Sequence, residues 1–351
     1  MSMSEKERII TLSNMFAPSG FEDDAAAFVR QELSAYNTVE DHMRNVRCVK
    51  EGNGPMVMLD AHMDEVGLIV HAIKPNGTMR ILTLGGMQAQ SLGAQEFMIR
   101  TDAGKLVKAV VAAKPPHFMS ASDRSHTVTI DDLVLDCGTS SKEETEALGI
   151  HIGSPAVPCT SCYMDEERGV IFGKAFDDRI GVAAQIEVMN RIKDMDLPCR
   201  IGASFSVQEE VGERGVKCNA RALRPDVMIC FEGCPADDTF SEGYMVQAAM
   251  GKGVMLRHMD VSMITNWRFQ KLALDTAREN GIPVQESVRK GGGTNGAMIN
   301  QEYGVPAIVI GVPVRYIHNC SCIMKYCDYE AAIDLAMALL PKLTQEVVDS
   351  L

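Results

Sequence analysis

The stretch Met58-Leu59-Asp60-Ala61-His62-Met63-Asp64-Glu65 constrains this chain more than any other. An apolar run from Pro55 to Leu59 stops abruptly in a histidine, His62, and two carboxylates, Asp64 and Glu65. Such a run reads as a strand buried on both faces, and in open α/β sheets chemistry gathers at the carboxyl ends of the strands. On an extended segment His62 and Asp64 point to the same side. That suits an imidazole ligand held in place by a neighbouring carboxylate. A core histidine beside solvated acids explains this one segment equally well. Repetition decides against it, because later apolar runs end in the same way.

Val170–Phe172 leads into Asp177-Asp178-Arg179, and Ile201–Val207 into Glu209-Glu210. Val227–Phe231 ends at Glu232-Gly233, and Ala307–Val312 leads through Pro313 to His318. Two histidines and three carboxylates, one of them shared, can hold two divalent ions about 3.5–4 Å apart. Nitrogen and oxygen ligands that leave room for water are those of a catalytic site. At a strand-end turn both members of Glu209-Glu210 can reach one site. One then ligates while its neighbour acts as general base on the metal-bound water, whose pKa falls to about 7. Each position has an ordinary explanation taken singly: a helix N-cap for Asp177-Asp178, a solvated pair for Glu209-Glu210, a turn acid for Glu232, a locally bonded core residue for His318. Five together at strand ends do not. The remaining histidines, His42, His71, His117, His126, His151 and His258, read as surface or packing residues. Lys290-Gly291-Gly292-Gly293-Thr294-Asn295-Gly296 precedes a helix but lacks the phosphate-loop arrangement, and reads as a pocket wall.

Residues 351 in number suggest two domains, at roughly 150 residues each. Apolar spacing predicts helices over Glu5–Met15 and Glu22–Tyr36 and strands over Val46–Lys50 and Met56–Leu59. Past Glu65 the texture changes to short strand-like runs (Val66–His71, Met79–Leu84, Phe97–Thr101, Leu106–Ala112, Leu133–Asp136). The expected organisation is an all-β unit, residues 66–166, inserted into an α/β core made of 1–65 and 167–351. A closing helix is expected over Tyr329–Val348. The formal charge of −13 argues against nucleic acid as a partner. No run of eighteen apolar residues suggests a membrane span. Met1 to Gly20 carries Glu5, Lys6, Glu7 and Arg8 and no apolar stretch of the kind found in a signal peptide. Eleven cysteines, an odd number with no export signal, fit reduced cytosolic thiols. Cys159-x-x-Cys162 and Cys320-x-Cys322 lie far apart and do not make a convincing structural zinc site.

Taken together, Asp60–Gly67, Gly173–Gly181, Gln208–Gly212 and Pro313–His318 resemble the glutamyl/deblocking aminopeptidase family, dizinc metallopeptidases that form tetrahedral dodecamers. Lys114-Pro115-Pro116-His117 also looks like a family stretch. The resemblance implies an α/β fold: a doubly wound, mostly parallel sheet with an inserted small β-barrel-like domain used in dimer contacts. It implies His62 and Glu232 as ligands of one metal, Glu210 and His318 of the second, and Asp177 as the bridge. Asp64 would orient His62, and Glu209 would be the general base. The implied cofactors are two divalent ions per subunit, zinc first, with cobalt or manganese as alternatives. The implied activity is removal of N-terminal residues from short peptides by a cytoplasmic homo-oligomer, dimers assembling to a dodecamer, with no nucleic-acid or membrane partner. Alternatives are another dizinc hydrolase, an N-acyl amino-acid deacylase or carboxypeptidase, and a non-catalytic metal-binding scaffold. A single tryptophan, Trp267, disfavours a polysaccharide substrate. Two departures stand out. Asn295 occupies a position where relatives commonly carry Asp, a lost charge expected to bear on substrate preference. Cys320 and Cys322 follow His318, as packing, redox-sensitive or soft-ligand thiols.

Overall fold

The strand Met56–His62 is buried at every residue, as an apolar run must be when both faces of its sheet are covered. A computed structural model describes residues 3–120 and 126–351 of the chain. In it Met56–His62 pairs in parallel with Arg200–Ser206 on one side and Val227–Pro235 on the other. Val227–Pro235 in turn pairs in parallel with Ala307–Arg315. These four strands form the centre of a sheet with eleven strands among the described residues. Antiparallel strands flank them: Val46–Lys50 beyond Arg200–Ser206, and Cys322–Lys325 then Val170–Gly173 beyond Ala307–Arg315.

Side chains alternate between two cores along each central strand. Val57, Leu59, Ala61, Ile229, Phe231, Ile308 and Ile310 pack with the helices Glu5–Asn14, Phe176–Ile192 and Tyr326–Leu339. Met58, Met228, Cys230, Ala307 and Val309 pack with Val216–Leu223 and Asn295–Tyr303. Helices therefore cover both faces, and the strand ends between them are where side chains of opposite elements converge.

The segment after Glu65 closes on itself. Gly67–Ile73, Met79–Leu84, Glu96–Arg100, Leu106–Ala112, Val134–Asp136 and Pro155–Pro158 make a closed barrel around Leu68, Val70, Phe97, Ile99, Val111 and Leu135. Pro155–Pro158 is a strand the sequence does not announce, because prolines donate nothing to a ladder. Here Ala156 and Val157 carry the pairing, antiparallel to Gly67–Ile73 and to Glu96–Arg100.

Three other elements depart from expectation. The strands Val227–Pro235 and Ala307–Arg315 outrun their apolar cores, since Gly233, Cys234 and Pro235 keep register with Val312, Pro313 and Val314. Glu232 consequently lies inside a strand, not after one. The closing helix is broken: Tyr326–Leu339 gives way to a 3-10 turn, Leu340–Lys342, and a short helix, Gln345–Asp349. Pro341 lacks the amide that would continue the ladder. No helix among the described residues is long and apolar enough to cross a membrane.

Candidate active site

His62 is the last residue of its strand, and its buried imidazole faces Asp177 at the start of the Phe176–Ile192 helix. The two carboxylate oxygens of Asp177 divide between two imidazoles. Oδ1 lies 3.0 Å from His62 Nε2, and Oδ2 lies 3.0 Å from His318 Nε2. Glu209 Oε2 approaches His62 Nε2 to 3.9 Å, and Glu210 Oε2 approaches His318 Nε2 to 3.5 Å. Ligand atoms of His62, Asp177 and Glu210 fall within 4.8 Å of one another, and so do those of His62, Glu209 and Glu232. All five predicted ligands and Glu209 thus converge, although 256 positions separate His62 from His318 in a chain folded around them.

Asp64 sits directly behind this group. It accepts hydrogen bonds from Ser19 Oγ at 2.6 Å and from the amides of Glu209 and Glu210 at 3.0 and 3.2 Å. One carboxylate therefore fixes the turn that carries both glutamates. His62 Nδ1 is 3.3 Å from Asp64 Oδ1, close enough for charge interaction but without aligned hydrogen-bond geometry. Ser19 is a support that the reading of the sequence did not single out.

The Asp177-Asp178 pair divides its labour. Asp178 accepts from the amide of Gly181 at 3.0 Å, which is the capping role expected of one of the two. It also accepts from the amides of His62, at 3.2 Å, and Gly233, at 2.9 Å, binding three elements together beneath the site. Gly233 is where the helix start rests on the strand: a Cβ there would fall 2.5 Å from the Phe176 carbonyl oxygen. Deeper still, Asp60 accepts hydrogen bonds from Ser204, Ser206 and Asn295. Asn295 is buried in that network and also donates to Ser206 at 2.8 Å, so it is an internal support and not part of the substrate wall. The expectation that its missing charge bears on substrate is corrected accordingly.

Charge decides what this site can hold. Burial would depress both imidazoles, yet Glu209 and Asp177 around His62 hold it well above its ordinary value. His318 is likewise pushed up to about 10 by Glu210 and Asp177 against the effect of burial. Burial raises Glu209 and Glu232 well above the usual carboxylate range, and it raises Glu210 to about 8. Asp177 runs the other way: despite burial, its bonds to His318 and His62 hold it below the carboxylate range. Four carboxylates against two imidazoles leave an excess of negative charge out of water, an arrangement that divalent cations offset. Glu210 Oε1 is buried and without a hydrogen-bond partner. The donor set, hard oxygen and imidazole nitrogen, fits zinc, cobalt or manganese.

The site opens on a cavity of about 540 Å³. Gly291, Gly292 and Gly293 line it, as expected of a pocket wall, together with Arg257 and Arg289. The barrel contributes Gly86 and Gln88, and a Cβ at Gly86 would fall 3.0 Å from His318 Nδ1. Trp267, though 64% exposed, is not among the lining residues. Cys320 and Cys322 are packing residues: Cys320 belongs to the barrel core, and Cys322 Sγ donates to the Tyr316 carbonyl at 3.2 Å.

Known proteins are similar to this chain in sequence and fold. The chain is 30% identical over 348 residues to the glutamyl aminopeptidase of Lactococcus lactis subsp. cremoris, covering 97% of each chain. It is 33% identical over 309 residues to the lysyl aminopeptidase of Pyrococcus furiosus, covering 86% of each. The solved structure of a TET aminopeptidase from a marine sediment Thaumarchaeota archaeon superposes with a TM-score of 0.95 at 35% identity, covering 99% of this chain and 98% of that one. The family profile described as M42 glutamyl aminopeptidase matches residues 44–335, well over half of the chain. The chain therefore belongs to the M42 glutamyl aminopeptidase family and is an aminopeptidase.

Proposed function

We propose that this aminopeptidase works through two divalent ions, zinc in the first place: His62 and Glu232 would hold one ion, Glu210 and His318 the other, and Asp177 would serve both. The observation that carries this reading is the division of the Asp177 carboxylate, with each oxygen 3.0 Å from a different imidazole. Ions bound there supply Lewis acidity, which acidifies a water and polarises the scissile carbonyl. Glu209 is the base that receives the water's proton, and the same carboxyl returns it to the departing amine as the peptide bond breaks. Asp64 keeps Glu209 in reach by holding its amide and that of Glu210. The free ammonium of a short peptide is drawn to the same acidic group, which limits cleavage to the first residue.

The compartment follows the thiols: all eleven cysteines are free, which suits a reducing cytoplasm. The chain is proposed to assemble from dimers into a dodecamer, the barrel supplying dimer contacts; PhTET1-12s, a solved structure of similar fold at 26% identity, is described as a dodecamer. Glu209→Gln tests the mechanism. The variant retains the metal content of the parent and loses on the order of 10²–10⁴ in kcat on an aminoacyl substrate. Full turnover by that variant overturns the role of Glu209.

A further inference from the structure

One buried carboxyl close to Asp64 has no part in the mechanism above. Glu22 is 1% exposed and opens the helix Asp23–Glu32, yet its side chain caps nothing in that helix. It turns instead to the segment that leads into the two glutamates. Its Oε1 accepts from the amide of Gly20 at 2.8 Å and from the amide of Gln208 at 3.0 Å. Its Oε2 is buried without a hydrogen-bond partner. Glu22 does not line the cavity, so whatever it does for the reaction passes through the turn it holds.

Gln208 is the residue on which that turn depends. Its φ is +56°, a left-handed conformation that disfavours any residue with a Cβ. Its two dihedrals set the direction in which Glu209 points, and the peptide planes on either side fix them. The plane before Gln208 is held at its N–H by Glu22, and at the Val207 carbonyl by the amide of Gly215, at 3.0 Å. The plane after it is held at the Glu209 amide by Asp64, at 3.0 Å, and at the Gln208 carbonyl by the amide of Arg214, at 3.2 Å. Two carboxyl groups thus clamp one left-handed residue from both sides. The segment that brings Glu22 here is itself anchored beside Asp64. Ser19 Oγ donates to Asp64, the Ser19 amide donates to the Glu65 carbonyl at 3.3 Å, and the Glu65 amide donates to the Ala17 carbonyl at 3.1 Å. Burial, and then the charge of Asp64, push Glu22 up to about 7, so a neutral acceptor of the same shape suits this position.

We infer that Glu22 is a positioning residue for the reaction: by accepting from the amide of Gln208 it holds Glu209 where a base must stand. The inference rests on the role of Glu209 proposed above, and it requires an acceptor at position 22 and not a charge. It is tested with the zinc-loaded protein on the best-cleaved of a panel of aminoacyl p-nitroanilides, with turnover counted per bound zinc. Glu22→Ala loses about 10–100-fold in kcat, while KM and zinc content stay those of the parent. The amides of residues 207–211 exchange with D2O faster in that variant than in the parent, with or without zinc. Glu22→Gln keeps the acceptor and recovers most of the kcat and of the protection from exchange. In a Glu209→Gln background Glu22→Ala costs no further kcat, because the group it positions is gone. A kcat per zinc unmoved by Glu22→Ala overturns the inference. So does a full further loss in the Glu209→Gln background, or a Glu22→Gln variant as impaired as Glu22→Ala. If Glu22→Ala does not fold, Glu22→Met, which fills the space without an acceptor, is read in its place. Full turnover by Glu209→Gln alone would instead be a failure of the base reading on which the inference rests.

Discussion

At the scale of single residues, carboxylates do different work according to what surrounds them. Asp177 faces two imidazoles and stays ionised, whereas burial pushes Asp60 up to about 6 while Ser204, Asn295 and Ser206 restrain it. A group whose folded pKa is raised contributes stability that is complete below its unfolded value and is lost as pH climbs through the folded one. For Asp60 that window runs from about 4 to about 6. Asn295→Asp removes a donor to Asp60 and puts an acceptor in its place. The variant is expected to be less stable than the parent by about 1–3 kcal/mol at pH 8. The gap should narrow toward pH 5, where the pair shares protons. Urea unfolding of both proteins across that range checks it, and a constant or inverted gap would remove Asn295 from the supports of the site. Residue identity was readable in the sequence for every proposed ligand, because a polar group ending an apolar run is conspicuous. The partners were not readable. Which of Asp177 and Asp178 faces the imidazoles depends on how a turn directs two adjacent side chains, and Asn295 turned inward under the strand ends instead of toward substrate.

At the scale of elements, the site is the place where two strands and a helix are tied together by Asp178. Its carboxylate takes the amide of His62 at a strand end, of Gly181 in the helix, and of Gly233 inside a second strand. Asp178→Asn keeps the shape but turns one acceptor into a donor, stranding a buried amide. A loss of about 1–3 kcal/mol is expected, read as a lowered midpoint in urea. An unchanged midpoint would mean that the three elements are held by packing alone. The central strands announced themselves by apolar runs, and the helices Glu5–Asn14 and Asp23–Glu32 by their apolar spacing. Elements without a periodic signal did not. Pro155–Pro158 hid behind its prolines, and Cys322–Lys325, only four residues long, is a strand because its neighbours complete it.

At the scale of the molecule, the barrel and the α/β core meet at the site: Gly86 and Gln88 of the barrel segment share a cavity with His318 and the Gly291–Gly293 loop. The change of texture after Glu65 announced a β unit, but not this shared wall, which depends on how one turn of the barrel lies over the sheet. The arrangement makes the chamber a product of both units, lined by the acidic group and by Arg257 and Arg289. Everything in the catalytic account depends on the acidic group holding a pair of cations astride Asp177. Anomalous diffraction at the zinc edge, from crystals of the zinc-loaded protein, tests this most directly. Two peaks are predicted, one against His62 and Glu232 and one against His318 and Glu210, each touching a different oxygen of Asp177. No peak there, or one ion bound away from Asp177, would contradict it.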